Sequence, residues 1–315
     1  LGAQVTKYGV RDSDGNLSDE KLREIASHPQ VRMIEIKLSQ GAKPGKGGIL
    51  PGGKATAENA KVREIAEGQD SLSSNRHTDI NSLRELLDMI DYVRETTGLP
   101  TGFKTVIGDT AWLDELFSII ADRGERSAPD FITVDSGDGG TGAAPMPLMD
   151  NMGLPIKESL PMLIAALHRS GLRNRIKVAA SGKLVTPAEV AWAYCAGADV
   201  VNSARGFIFA LGCIQALKCN RNTCPTGITT HNPRLQRGLD PADKSVRVIN
   251  YVEKIHKGVG VIAHSCGVSH ARALGPAHVR MVQPNGASKS LEQIAWMLEA
   301  GLPEAPKNLE RSLMD

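Results

Sequence analysis

Three cysteines fall within twelve residues, at Cys213, Cys219 and Cys224, in the spacing C-x5-C-x4-C, and Pro225 follows the last of them. The chain holds five cysteines in 315 residues, so most of its thiol chemistry is placed here. Thiolates are soft ligands that suit iron–sulfur clusters and zinc, and a proline after the final cysteine accompanies several cluster-binding runs. Three ligands leave one corner unserved, which fits a cluster lacking one iron. The alternatives are a zinc site and small buried residues brought together by packing. The polar insert Asn220-Arg221-Asn222-Thr223 is unlike a core segment.

Composition narrows the setting. Hydrophobic residues make up 41% of the chain but aromatics only 4%, so the core must be aliphatic. A net charge of +2 makes no general case for nucleic acid or membrane binding. No run approaches the roughly 18 apolar residues of a transmembrane helix, and no signal peptide is visible. An odd cysteine count without paired spacing points to a reducing compartment, and so to a cytoplasmic protein. The length suits two average domains or one α/β barrel, which runs to about 250 residues.

The elements that must position the cysteines alternate between strand and helix. The pattern predicts strands at Met33–Leu38, Gly102–Ile107, Phe131–Asp135, Ile176–Ala180 and Asp199–Asn202, with a weaker one at Gln4–Val10. Helices are predicted at Asp19–Ala26, Thr56–Ala66, from Ser82 to Gly98, Ala111–Arg123 and Lys157–Arg169. A further one is capped by Thr186, Pro187 and Glu189, and Ser245–Ala263 and a segment opened by Ser290 and Gln293 follow. Residues 67–79 read as irregular and 231–245 as a polar connection. The histidines at 256, 264, 270 and 278 hold no metal spacing and read as surface residues.

Between strands and helices lie loops with chemical content. Residues 39–54 carry three lysines among six glycines and join a strand to a helix, a loop suited to wrapping an anion. The glycine-rich run from Ser136 to Pro145 follows a strand's carboxyl end, where α/β folds bind ligands. Two later turns, Ser181-Gly182-Lys183 and Ser203-Ala204-Arg205-Gly206-Phe207, each pair a glycine with a cation. Successive turns of that kind match the phosphate site built by the last two loops of a β/α barrel. Lys104 lies inside an apolar strand and needs an anion or an electron-rich partner if buried.

Four of these runs stand in one order: residues 37–48 (KLSQGAKPGKGG), 137–143 (GDGGTGA), 203–207 (SARGF) and the cysteine run ending at Pro225. Together they closely resemble the FMN-binding synthase domain of glutamate synthase, over about residues 33–235, and in particular stand-alone glutamate-synthase-like proteins without a glutaminase domain. The resemblance implies a (β/α)8 barrel holding FMN at its carboxyl-end face beside a [3Fe–4S] cluster. It makes Cys213, Cys219 and Cys224 the cluster ligands. Ser181, Gly182, Lys183, Ala204, Arg205 and Gly206 would form the FMN phosphate site, and Lys104 would face the N1/O2 edge of the flavin. Lys43 and Arg63 would hold the carboxylates of 2-oxoglutarate, with Gly139, Gly140, Thr141 and Gly142 lining the same cleft and Lys43 and Lys104 contributing to catalysis.

The implied activity is an oxidoreductase of glutamate biosynthesis acting on CH–NH2 donors. Electrons from a ferredoxin or an NAD(P)H-dependent flavoprotein subunit would reach FMN through the cluster, and reduced FMN would pass a hydride to 2-iminoglutarate. No N-terminal cysteine for glutamine hydrolysis is seen, so ammonia would come from elsewhere, for instance a separate amidotransferase subunit. Two departures from the family pattern are Ile49, where glutamate synthases carry a glutamine, and Ser73-Ser74-Asn75-Arg76-His77. Ile49 cannot hydrogen-bond, which opens the substrate to other amines such as methylamine. It also lends support to a rival reading, a non-catalytic electron-transfer module. An IMP-dehydrogenase-like phosphate-binding barrel is a second rival, which would use a single catalytic cysteine.

Five strands, or six with Gln4–Val10, fall short of eight, so a partial barrel is expected here, with the first strands preceding Leu1. Residues 1–235 would form that barrel, with its iron–sulfur loop at 213–225, and residues 236–315 a C-terminal helical extension.

Overall fold

The computed structural model describes residues 2–4, 9–12, 14–42, 49–63, 65–72, 77–140 and 142–294. Its centre is a six-stranded, all-parallel sheet in the order β1 (Gly2–Gln4), β2 (Met33–Lys37), β5 (Thr101–Thr105), β6 (Phe131–Asp135), β7 (Lys177–Ser181) and β8 (Val200–Asn202). Two-residue strands β3 (Ile49–Leu50) and β4 (Ser71–Leu72) pair antiparallel outside it. Neighbouring sheet strands follow one another in the chain, with helices in the long crossovers, which is the wall of a (β/α)8 barrel. Among the described residues β1 and β8 do not meet, so the wall is open and the barrel is partial.

The helices of that wall are α1 (Asp19–Ser27), α2 (Ala57–Arg63), α3 (Leu83–Thr97), α4 (Ala111–Arg123), α5 (Ile156–Arg169) and α6 (Pro187–Cys195). Local signals set their ends. Ser82 accepts from the Glu85 N–H, and Gly98 closes α3 in left-handed backbone at φ 67°. At α6 the Thr186–Glu189 capping box is complete and Pro187 occupies the first turn. One apolar cluster joins Ile34, Ile36, Phe103, Ile132, Val134 and Val178 of the strands to Leu86, Ile90, Leu116, Ile120, Leu160 and Leu163 of the helices. In β2 the burial alternates, with Ile34 and Ile36 buried toward the helices and Glu35 and Lys37 half-buried on the other face. That concave face is polar: Thr133 donates to Glu35 Oε2 at 2.6 Å, and Lys37 binds Gln40.

The chain then runs through α7 (Ala204–Ala210), the cysteine segment, α8 (Pro233–Gln236) and the long α9 (Pro241–Ser265). Helix α9 packs on α6 and α7. Its Tyr251 hydroxyl donates to the Val185 carbonyl at 2.8 Å and lies 2.9 Å from Ser203 Oγ, and its ring meets Phe207 edge-on. Strands β9 (Arg280–Val282) and β10 (Ser288–Ser290) form a terminal hairpin, after which Ser290 and Gln293 cap each other's backbone N–H groups as expected. No described helix is long and apolar enough to cross a membrane.

Several expected boundaries move. The first strand is Gly2–Gln4, and Gly9 and Val10 lie outside it, while 5–8 fall outside the described residues. The segment 67–79 holds strand β4, and 204–210 is helical where a turn was expected. The helix expected at Ser245–Ala263 runs four residues further toward the N-terminus, because Asp240 caps it and Pro241 starts it.

Candidate functional site at the carboxyl ends of the strands

A cavity of about 520 Å³ opens at the carboxyl ends of β5 to β8, within the usual size of a cofactor pocket. Its lining brings together Lys104, Gly139, Gly140, Ser181, Gly182, Lys183, Ala204 and Arg205 with Cys213, Cys219 and Cys224. These residues come from five separate segments between positions 104 and 224, and only the sheet topology makes them neighbours. Of the other expected site residues, Lys43 and Thr141 lie outside the described residues. Arg63 is described only by its backbone place at the end of α2. Ile49 lies in β3, in register with Leu72, and residues 73–76 lie outside the described residues.

Lys104 finds the anion that its place in the strand demands. Its Nζ lies 3.1 Å from Asp135 Oδ2, on the neighbouring strand, and both side chains are 19% exposed. The same carboxylate oxygen accepts the Gly41 N–H at 3.1 Å, tying the loop after β2 to the end of β6. The ammonium is thus fixed on the cavity wall with its charge balanced.

The two cationic turns converge at one end of the cavity. Lys183 Nζ is 2.6 Å from Asp150 Oδ1, the same oxygen accepts the Gly139 N–H, and Arg205 Nη2 donates to the Gly140 carbonyl at 2.5 Å. Gly206, by contrast, is not among the cavity-lining residues. It is buried in α7, where a Cβ would stand 1.8 Å from the Tyr251 hydroxyl, so its lack of a side chain lets α9 approach. Gly142 serves a contact of the same kind: a Cβ there would stand 2.2 Å from the Leu217 carbonyl oxygen and 2.8 Å from the Cys219 nitrogen. The glycine-rich turn therefore lies directly against the backbone of the cysteine segment.

The cysteine segment is shaped by backbone rather than by regular structure. Gln215, Leu217 and Asn222 take left-handed φ values of 55°, 52° and 58°. Of the six non-glycine residues in that region among the described ones, five line the cavity: Ala42, Asp150, Lys183, Gln215 and Leu217. Such residues cost of order 1 kcal/mol each and cluster at ligand sites. Lys54 clamps the segment from outside by donating to the carbonyls of Cys219 and Thr229, and Asn222 Nδ2 donates to the Gly53 carbonyl at 3.2 Å.

All five cysteines are free thiols. Burial pushes the Cys224 thiol up, but hydrogen bonding around its sulfur, led by Thr226 with its Oγ1 3.4 Å away, outweighs it and brings it down to about 6, toward the thiolate that binds metal. Three soft donors lining one cavity fit an iron–sulfur cluster in kind. Among the described residues no three His, Cys, Asp or Glu side chains are gathered into a metal-holding group. The cavity's size and its paired cations likewise fit a phosphorylated flavin.

Sequence reasoning did not single out Asp135, Asp150, Lys54, Thr226 or Thr229 as site residues. Asp135 could have been found as the acidic end of a strand next to a buried lysine. Lys54 falls in the lysine- and glycine-rich loop expected to wrap an anion, but it binds backbone carbonyls, and Asp150, Thr226 and Thr229 carry no local signal.

The model of a conserved region in glutamate synthase matches residues 8–269. A glutamate synthase large subunit-like protein from Bacillus subtilis, YerD, is 39% identical over 287 residues, covering 91% of this chain and 54% of that protein. An archaeal NADPH glutamate synthase from Methanocaldococcus jannaschii is 35% identical over 241 residues, covering 76% of this chain and 46% of its own length. The chain thus spans about half the length of these relatives. A mutant flavocytochrome b2 with pyruvate bound has a similar fold, with a TM-score of 0.51 at 14% identity, over 87% of this chain and 53% of that one. Since the conserved region covers most of the chain and two relatives exceed 30% identity along most of its length, the chain belongs to the glutamate synthase family.

Proposed function

We propose that this chain carries the flavin- and cluster-binding part of a glutamate-synthase-like oxidoreductase acting on CH–NH2 donors. The reaction is the two-electron reduction of an imine, formed from 2-oxoglutarate and ammonia or another amine, to glutamate or its N-substituted form. When bound, FMN supplies the hydride and a [3Fe–4S] cluster supplies one-electron relay from a protein donor such as a ferredoxin or an NAD(P)H-dependent flavoprotein. Cys213, Cys219 and Cys224 would hold the cluster. Lys183 and Arg205, with Ser181, Gly182 and Ala204 around them, would hold the FMN phosphate, as helix-adjacent cations do in barrel phosphate sites.

Lys104, oriented by Asp135, would face the flavin ring as a fixed positive charge, the arrangement that favours negative charge developing there. Lys43, Arg63 and the glycines at 139, 140 and 142, with Thr141, would take the carboxylates of 2-oxoglutarate. The observation that supports the reading is the shared cavity: both cationic turns, Lys104 and the three cysteines line one space.

The test is 2-oxoglutarate-dependent oxidation of the pre-reduced full-length protein, followed at the flavin absorbance, with ammonia and with methylamine. Oxidation that requires both keto acid and amine is expected. Lack of turnover with every amine would favour an electron-transfer module instead.

A further inference from the structure

The two cations that would hold a phosphate, Lys183 and Arg205, are already engaged by the protein itself. Gly139 N–H and the Lys183 ammonium both reach Asp150 Oδ1, the latter at 2.6 Å, while the Arg205 guanidinium reaches the Gly140 carbonyl at 2.5 Å. An ammonium and a guanidinium are together the cationic donors that a phosphate takes. The Asp150 side chain is 46% exposed and lines the cavity, within reach of a ligand there. Asp150 and Lys183 also both stand in left-handed backbone, at φ 63° and 46°, so the pair is held in conformations that neither residue favours. Burial would raise the Asp150 carboxyl, but Lys183, the Gly139 N–H and Arg205 keep it below its ordinary value and ionised.

We propose that the Asp150 carboxylate is a built-in occupant of the phosphate end of the cavity, which the phosphate of FMN must displace to bind. The inference rests on the flavin reading above. Asp150 would thereby set the affinity for phosphorylated flavin, because its carboxylate and the phosphate compete for the Lys183 ammonium. A different role, in which Asp150 positions Lys183 for the ligand, predicts the opposite effect of removing the charge.

The two are separated by titrating FMN and riboflavin, followed by flavin fluorescence quenching, into the full chain and into Asp150→Asn and Asp150→Ser. Both variants are checked by thermal unfolding, and the second serves if the first does not fold. With the competing charge removed, FMN should bind about twofold to fivefold tighter, the worth of one partly exposed ion pair, while riboflavin affinity stays unchanged. FMN affinity that is equal or weaker in the folded variants, with the unaltered chain binding FMN, overturns the inference alone. An equal gain for riboflavin also overturns it, because riboflavin carries no phosphate. Failure of the unaltered chain to bind either flavin overturns the flavin reading and this inference with it.

Discussion

The Lys54 ammonium donates to the Cys219 carbonyl at 2.9 Å and to the Thr229 carbonyl at 2.8 Å, bridging two points of the cysteine segment ten residues apart. The glycine-rich loop after β2 thereby fastens the segment that carries the three thiols. A charge-assisted hydrogen bond contributes about 1.5–3 kcal/mol. Lys54→Met should therefore leave the sheet intact and raise amide hydrogen exchange across residues 219–230. Unchanged protection there would mean that the clamp is idle.

The contact between Gly142 and the backbone of Leu217 and Cys219 predicts a steric effect. Gly142→Ala should lower stability by about 1–3 kcal/mol, because the obstacle is backbone and cannot rotate away. Gly108→Ala is the control: a Cβ there meets nothing within 4 Å, and the change should stay within about 0.5 kcal/mol. Denaturant midpoints of the two variants decide the point.

Glu189 gives a pH dependence. Burial raises its carboxyl, but the Thr186 and Val185 N–H groups and the Thr186 hydroxyl hold it below the ordinary 4.5. A depressed carboxyl adds stability above its unfolded value and loses it as pH falls through its folded value. Glu189→Gln should therefore be less stable than the unaltered chain by about 0.5–1 kcal/mol above pH 4.5. The gap should shrink as the medium is acidified below that. Melting curves from pH 3 to pH 7 check this; a constant gap would contradict it.

On the proposed placement of FMN against Lys104, the Lys104–Asp135 pair predicts an electrostatic effect on the flavin. Lys104→Met removes a fixed positive charge from the cavity wall, so reduction of the flavin should become less favourable. A dye-equilibration titration reads the potential, and an unchanged value would remove Lys104 from the flavin edge.

Much of the scaffold is written locally. Helix α4 and strand β6 have the bounds their sequence patterns predict, and Thr186, Pro187 and Glu189 mark the start of α6 without any tertiary information. The turn expected at 203–207 is different: Gly206 reads as a turn signal, yet it is glycine inside a helix because Tyr251, forty-five residues later, needs the space. The partnerships of Lys183 with Asp150 and of Lys54 with Cys219 span thirty-three and 165 residues, and no short-range pattern announces them. Motif order could place cations and thiols at one face, but the counter-charges that hold them there are set by topology.

In the proposed function the flavin and the cluster share the cavity as separable groups, with Cys219 serving only the cluster. Iron and flavin content of the purified full-length protein and of Cys219→Ser test this most directly. The unaltered protein should hold both groups, and Cys219→Ser should lose its iron while retaining flavin. Full retention of iron in Cys219→Ser would contradict it.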